Sequence, residues 1–169
     1  MTYSRFMAAL VVTTWSIAQA GAAHQPSSRE HVLLFTASAA AGFNPADSTT
    51  YSFGEGATLN PETPADGVRR VICPVTGTVV KAFFNVQVGG TLGSSENVTL
   101  TVSNVTAGTT QNISTSAQWT GAELVFSNTA MTLAVTAGDR LTVRFTTPAW
   151  VTNPTTTYYS ATVVVRSST

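Results

Sequence analysis

From Val80 to Val88 the chain reads VKAFFNVQV, with apolar Val80, Ala82, Phe84, Val86 and Val88 at the even positions and Lys81, Asn85 and Gln87 between them. Phe83 is the one odd position that is apolar. Successive side chains of a strand point to opposite faces, so this stretch predicts a strand with its even face in a core. The rhythm returns along the chain. Val98, Leu100 and Val102 alternate with Thr99, Thr101 and Ser103; Met131, Leu133 and Val135 with Thr132 and Thr136. Leu141, Val143 and Phe145 alternate with Thr142 and Arg144, and Tyr159, Ala161, Val163 and Val165 with Ser160 and Thr162. Each pattern sends the polar set to water. Less regular strands are predicted at 32–38, 50–53, 68–73, 109–115 and 118–126. Beyond the N-terminal region no segment sustains a helical period. About ten short strands between turn clusters predict an all-β fold, an antiparallel jelly-roll-like β-sandwich of roughly 8–10 strands.

The N-terminal region is of another kind. MTYSR carries one positive charge, FMAALVVTTWSIA is apolar and too short to span a bilayer, and small residues follow in AQAGAA. Residues 1–23 therefore read as a signal peptide or an N-terminal apolar helix, cleaved after Ala20 or Ala23 if a signal. Polar residues 24–31 read as a linker and 32–169 as the sandwich domain. No stable membrane span is expected.

Between Val135 and Leu141 lies TAGDR, where Gly138 is free to take positive φ and Asp139 can bond nearby backbone; this is a hairpin turn. Charged residues are 9% of the chain, against roughly 25% in ordinary soluble domains. Thr, Ser, Asn and Gly take their place, as in exported and virion-surface β proteins. Net charge is zero, which removes any pull toward nucleic acid. Both histidines, His24 and His31, fall in or beside the linker, so the folded part lacks a base for a nucleophile and an imidazole for zinc. The acidic residues Asp47, Glu55, Glu62, Asp66, Glu96, Glu123 and Asp139 sit mostly beside turn residues and read as solvated loop carboxylates. No catalytic residue, metal site or cofactor is expected. Cys73, the only cysteine, lies in an apolar setting and reads as a core residue. Asn97, Asn104 and Asn112 match the glycosylation acceptor pattern.

Aromatic residues are the functional lead. TPAWVTNPTTTYY places Trp150 and Tyr158 around two prolines, where a ring can stack on a sugar or a neighbouring subunit, or Trp150 can fold back to plug the end of the sandwich. Phe83 beside Phe84 gives one strand two apolar faces. Trp150, Tyr158 and Phe83 are the candidate interface or binding residues.

The stretches FNPADSTTYSFGE, RRVICPVTGTVVKAFF, GGTLGSSENVTLTV and VTAGDRLTVRFTTPAWVTNPTTTYYSATVVV, in that order, resemble small jelly-roll-type domains of phage virion and tail-fibre proteins. The resemblance covers about three quarters of the chain, by the span of those stretches. It implies a structural or receptor-facing module, a homo-oligomer with a trimer favoured, without enzymatic activity, at the virion surface or outside the cell. Its partners would be copies of itself and a cell-surface glycan or protein receptor. A signal peptide is foreign to such proteins, so a secreted subunit of a pilus-like filament or adhesin is the alternative, with HVLLFTASAAA donated to a neighbour's sheet. A carbohydrate-binding accessory domain is the third reading.

Overall fold

A computed structural model describes residues 28–38, 44–54, 57–58, 60–61, 70–89, 96–119 and 123–168. They form strands β1 (Glu30–Ser38), β2 (Thr50–Phe53), β3 (Ala57–Thr58), β4 (Asn60–Pro61), β5 (Val71–Ile72), β6 (Gly77–Gly89), β7 (Asn97–Asn104), β8 (Thr109–Gln118), β9 (Glu123–Asn128), β10 (Leu133–Val135), β11 (Arg140–Thr146) and β12 (Thr156–Ser167). Among the described residues there is no helix, hence none long and apolar enough to cross a membrane. The expected signal segment lies outside the described residues.

The first sheet runs β10-β6-β12-β1-β3, with β9 next to β10 along the same flank of β6. The second runs β4-β2-β11-β7-β8, with β5 on β11. All these pairings are antiparallel except the two-residue contact of β1 with β3. The two sheets pack face to face as a β-sandwich, and the inward residues of the alternating stretches fill it. Phe35, Phe84, Val86 and Val163 come from one sheet, and Phe53, Leu100, Val102, Val143 and Phe145 from the other.

The centre of the core is aromatic. Phe145 stacks on Tyr51 of its own sheet at 5.0 Å between centroids and on Tyr159 of the opposite sheet at 4.7 Å. Trp119, just past β8, touches Phe145, Tyr159 and Trp150 at 5.6–5.7 Å. Such pairs contribute about 0.5–1.5 kcal/mol each beyond the area they bury.

Three expectations need correction. Glu30 and His31, read as linker for their polarity, are the first residues of β1 and pair with Arg166 and Val165. In β6 the register slips: Val164 faces Lys81 but Val165 faces Val79. Val80 is thus the extra residue of a bulge, which reverses the alternation. Val79 is buried, and Val80 is only half-buried, its carbonyl accepting the Met131 N–H at 3.1 Å. Two adjacent valines hide a bulge, because either can serve the core. The third correction is Thr142, expected in water but 2% exposed. It lies in β11 between β2 and β7, in a row with Ser103, which is buried too. These hydroxyls are satisfied locally: Thr142 Oγ1 donates to the Phe53 carbonyl at 3.1 Å, and Ser103 shares a bond with Thr110 at 2.9 Å.

Candidate interaction surface

The strands that turn one face to the core turn the other outward, and on the first sheet that outer face is apolar in part. Pairing sets its rows. Thr162 lies between Phe83 and Leu34, Val164 between Lys81 and Val32, and Ser160 between Asn85 and Thr36. Tyr158 is beside Gln87, and β9 adds Val125 opposite Asn85. Val32, Leu34, Phe83, Val125, Tyr158 and Val164 therefore share one face. Val32 is 60% exposed, Leu34 and Val125 64%, and Tyr158 46%, while Phe83 is half-buried among its neighbours.

At one corner of this face three charges are paired. Glu30 accepts from Arg166 Nη2 at 3.0 Å and from Lys81 Nζ at 3.2 Å, one cation on each of the next two strands. The Arg166 guanidinium first, and Lys81 second, hold the Glu30 carboxyl below its usual range. Toward the other end, Asn85, Gln87, Glu123, Tyr158 and Ser160 line a shallow hollow of about 200 Å³. There Asn85 Nδ2 donates to Glu123 Oε1 at 3.3 Å.

Of the three residues singled out for binding, the structure brings Phe83 and Tyr158 to this face and places Trp150 elsewhere. Trp150 is 8% exposed, with its ring turned inward against Trp119. Its loop is tied down: Trp150 N–H donates to Asp47 Oδ1 at 3.3 Å, Thr147 Oγ1 donates to the Ala46 carbonyl at 2.6 Å, and Glu96 Oε1 accepts the Val151 N–H. Of the two readings the prolines leave open, a ring held out for stacking or a ring folded back as a plug, these latches give the second and close the end of the sandwich. Val32, Leu34 and Val125 were missed, although LLF and LVF each put an apolar residue on both sides of a strand, the same signal that marked Phe83.

The described carboxylates are not all solvated. Asp139 is buried, and its Oδ2 accepts from Thr136 N–H at 2.8 Å and Asn104 Nδ2 at 2.6 Å. Around it Cys73 N–H bonds the Asp139 carbonyl, and Gly138, at φ 92°, bonds the Cys73 carbonyl. Asp139 is a turn residue that also anchors β7 and β5 to the start of β11. Glu96 is buried against the Trp150 loop. Glu55, Glu62 and Asp66 lie outside the described residues. Among the described residues no group of three His, Cys, Asp or Glu side chains could hold a metal ion. Burial pushes the Cys73 thiol up, and its Sγ donates to the Val75 carbonyl. Of the three acceptor asparagines, Asn97 and Asn112 are exposed and Asn104 is buried with its amide engaged.

No family model matches the chain, and no curated protein does. Among solved structures the crystal structure of FlhE is similar, with a TM-score of 0.42 at 11% identity over 81% of this chain and 97% of that chain. Similarity of that degree carries no information about activity.

Proposed function

We propose that this protein is a non-enzymatic structural module that acts by assembling with copies of itself and by presenting a surface to a receptor. The setting the sequence resemblance implies is a phage virion or tail fibre, with three copies about one axis. A secreted filament or adhesin subunit is the same physical role in another setting. The observation that carries the reading is the outer face of the first sheet, where Val32, Leu34, Phe83, Val125, Tyr158 and Val164 meet. The core of this domain lies between the sheets and does not need that second face. Keeping apolar area in water forfeits roughly 25 cal/mol per Å², which burial against another subunit recovers. Charge opposes approach only weakly, because the Glu30 corner is internally paired and Glu123 is the one further carboxylate among the described residues lining this face.

A glycan contact is the second reading, and the hollow beside Tyr158 favours it. Two side-chain amides, a carboxylate and an exposed phenol are what a ring of hydroxyls requires. Light scattering of the purified protein at micromolar concentration tests assembly. The expected mass is that of several copies, and Phe83→Ser or Val125→Asp should lower it without lowering the melting temperature of the protomer. A wild-type monomer at every concentration would overturn the proposal. Under the second reading, Tyr158→Ala should abolish binding to a glycan array and leave the mass unchanged.

A further inference from the structure

Among the described residues the first part of β1, before β3 covers it, is an open edge, and its outward hydrogen-bonding groups belong to residues whose side chains are exposed. In β1 the backbone groups of odd residues serve β12: Ser167 N–H bonds the Arg29 carbonyl, and the antiparallel register continues from there to Ala37 opposite Tyr159. Even residues must then point away from β12. Thr36 does so, donating its N–H to the Gly54 carbonyl at 2.9 Å, and just beyond it β3 covers Ala37 and Ser38. Before Thr36 no described residue takes up that side. Glu30, Val32 and Leu34 are left with outward N–H and C=O groups, and Val32 and Leu34 also carry exposed apolar side chains.

Free edges in soluble proteins are blunted by proline, bulges or inserted charge. HVLLFT carries none of these devices, and the one charge on this edge, Glu30, is held against its own sheet by Arg166 and Lys81, whereas the edge strand of the other sheet, β8, presents TTQNISTSAQ, a polar run. The edge is also self-complementary. If Val32 faces Val32 of a second copy in antiparallel register, Glu30 faces the partner's Leu34 and Leu34 faces the partner's Glu30. All three outward pairs of groups are then matched, and β3 stops the seam from running further. No like charges meet, because the Glu30 carboxylate is drawn back onto its own sheet by Arg166 and Lys81. A pairing that set Glu30 beside Glu30 would lose this.

We propose that β1 is a two-fold seam, pairing through Glu30, Val32 and Leu34 with β1 of a second copy so that two first sheets become one continuous sheet. The inference rests on the self-assembly reading and adds to it a contact separate from the outer face. Disulfide trapping tests it, with Cys73 buried and so silent. Residues facing each other in a hydrogen-bonded pair stand about 5.5 Å apart at Cα, within the roughly 4.4–6.8 Å of a disulfide. Two Leu34 residues in this register lie four residues out of step, about 13 Å apart, beyond reach. Under mild oxidation Val32→Cys should give a cross-linked dimer on a denaturing gel and Leu34→Cys should not. Leu34→Pro removes only an outward N–H, which an edge strand tolerates, so it should dissociate the seam while the protomer melts as before. Phe83→Ser should leave the Val32→Cys cross-link intact. Equal cross-linking of both cysteine variants, or an oligomer that survives Leu34→Pro and dissolves with Phe83→Ser, would overturn the seam and leave assembly through the face standing. A monomer in all variants would overturn both.

Discussion

Asp139 shows what a turn residue can carry. Its carboxylate takes up the half-buried N–H of Thr136 and the buried amide of Asn104. Asp139→Ala leaves one buried and one half-buried N–H without their acceptor and should cost about 2–3 kcal/mol in a denaturant titration. Asp139→Asn keeps an acceptor oxygen and should cost about 1 kcal/mol. Equal losses would mean that the carboxylate holds nothing. Cys73 gives a pH signature. Burial raises its pKa, so the native chain keeps a proton that the unfolded chain releases. Stability is therefore undiminished below the ordinary thiol range and falls as pH rises through it. Alkylation of native protein at mildly alkaline pH should be slow and should track unfolding; rapid stoichiometric labelling would contradict the burial.

At the scale of the element, β11 separates polarity from exposure. Val143 faces the core at 0% exposure, and its neighbour Thr142 is nearly as enclosed on the other side. Val143→Asp and Thr142→Asp should both cost about 3 kcal/mol or more, since each buries an unpaired carboxylate. Ala134→Asp, on the exposed side of β10, should stay within about 0.5 kcal/mol. A tolerated Thr142→Asp would restore the simple alternation. That alternation was legible at Leu141, Val143 and Phe145, where large side chains announce the inner face. Threonine does not announce the outer one: its hydroxyl is at home in water or bonded to a carbonyl, and the choice depends on which strands flank it. The β6 bulge hides for a similar reason, because Val79 and Val80 suit the same face equally.

For the whole molecule, the aromatic cluster joins the two sheets through a few rings. Trp119, at 2% exposure, touches rings from β11, β12 and the Trp150 loop. Trp119→Ala should cost about 3–5 kcal/mol, measured by denaturation followed at a backbone signal. A loss under 1 kcal/mol would mean that the sheets hold together without it. Period-two patterning determined by itself that the chain is a sandwich of short strands, because burying alternate side chains leaves few other arrangements. It also marked Phe83 as apolar on a face the core does not use, and the TAGD turn as structural. Only the tertiary structure decided that Tyr158 shares that face while Trp150 turns inward, since a loop's direction depends on latches such as Asp47 and Glu96 that lie far away in sequence. Strand order decided the rest: β1 pairs with β12 at the other end of the chain and becomes an edge, and neither fact is written in any local run of residues.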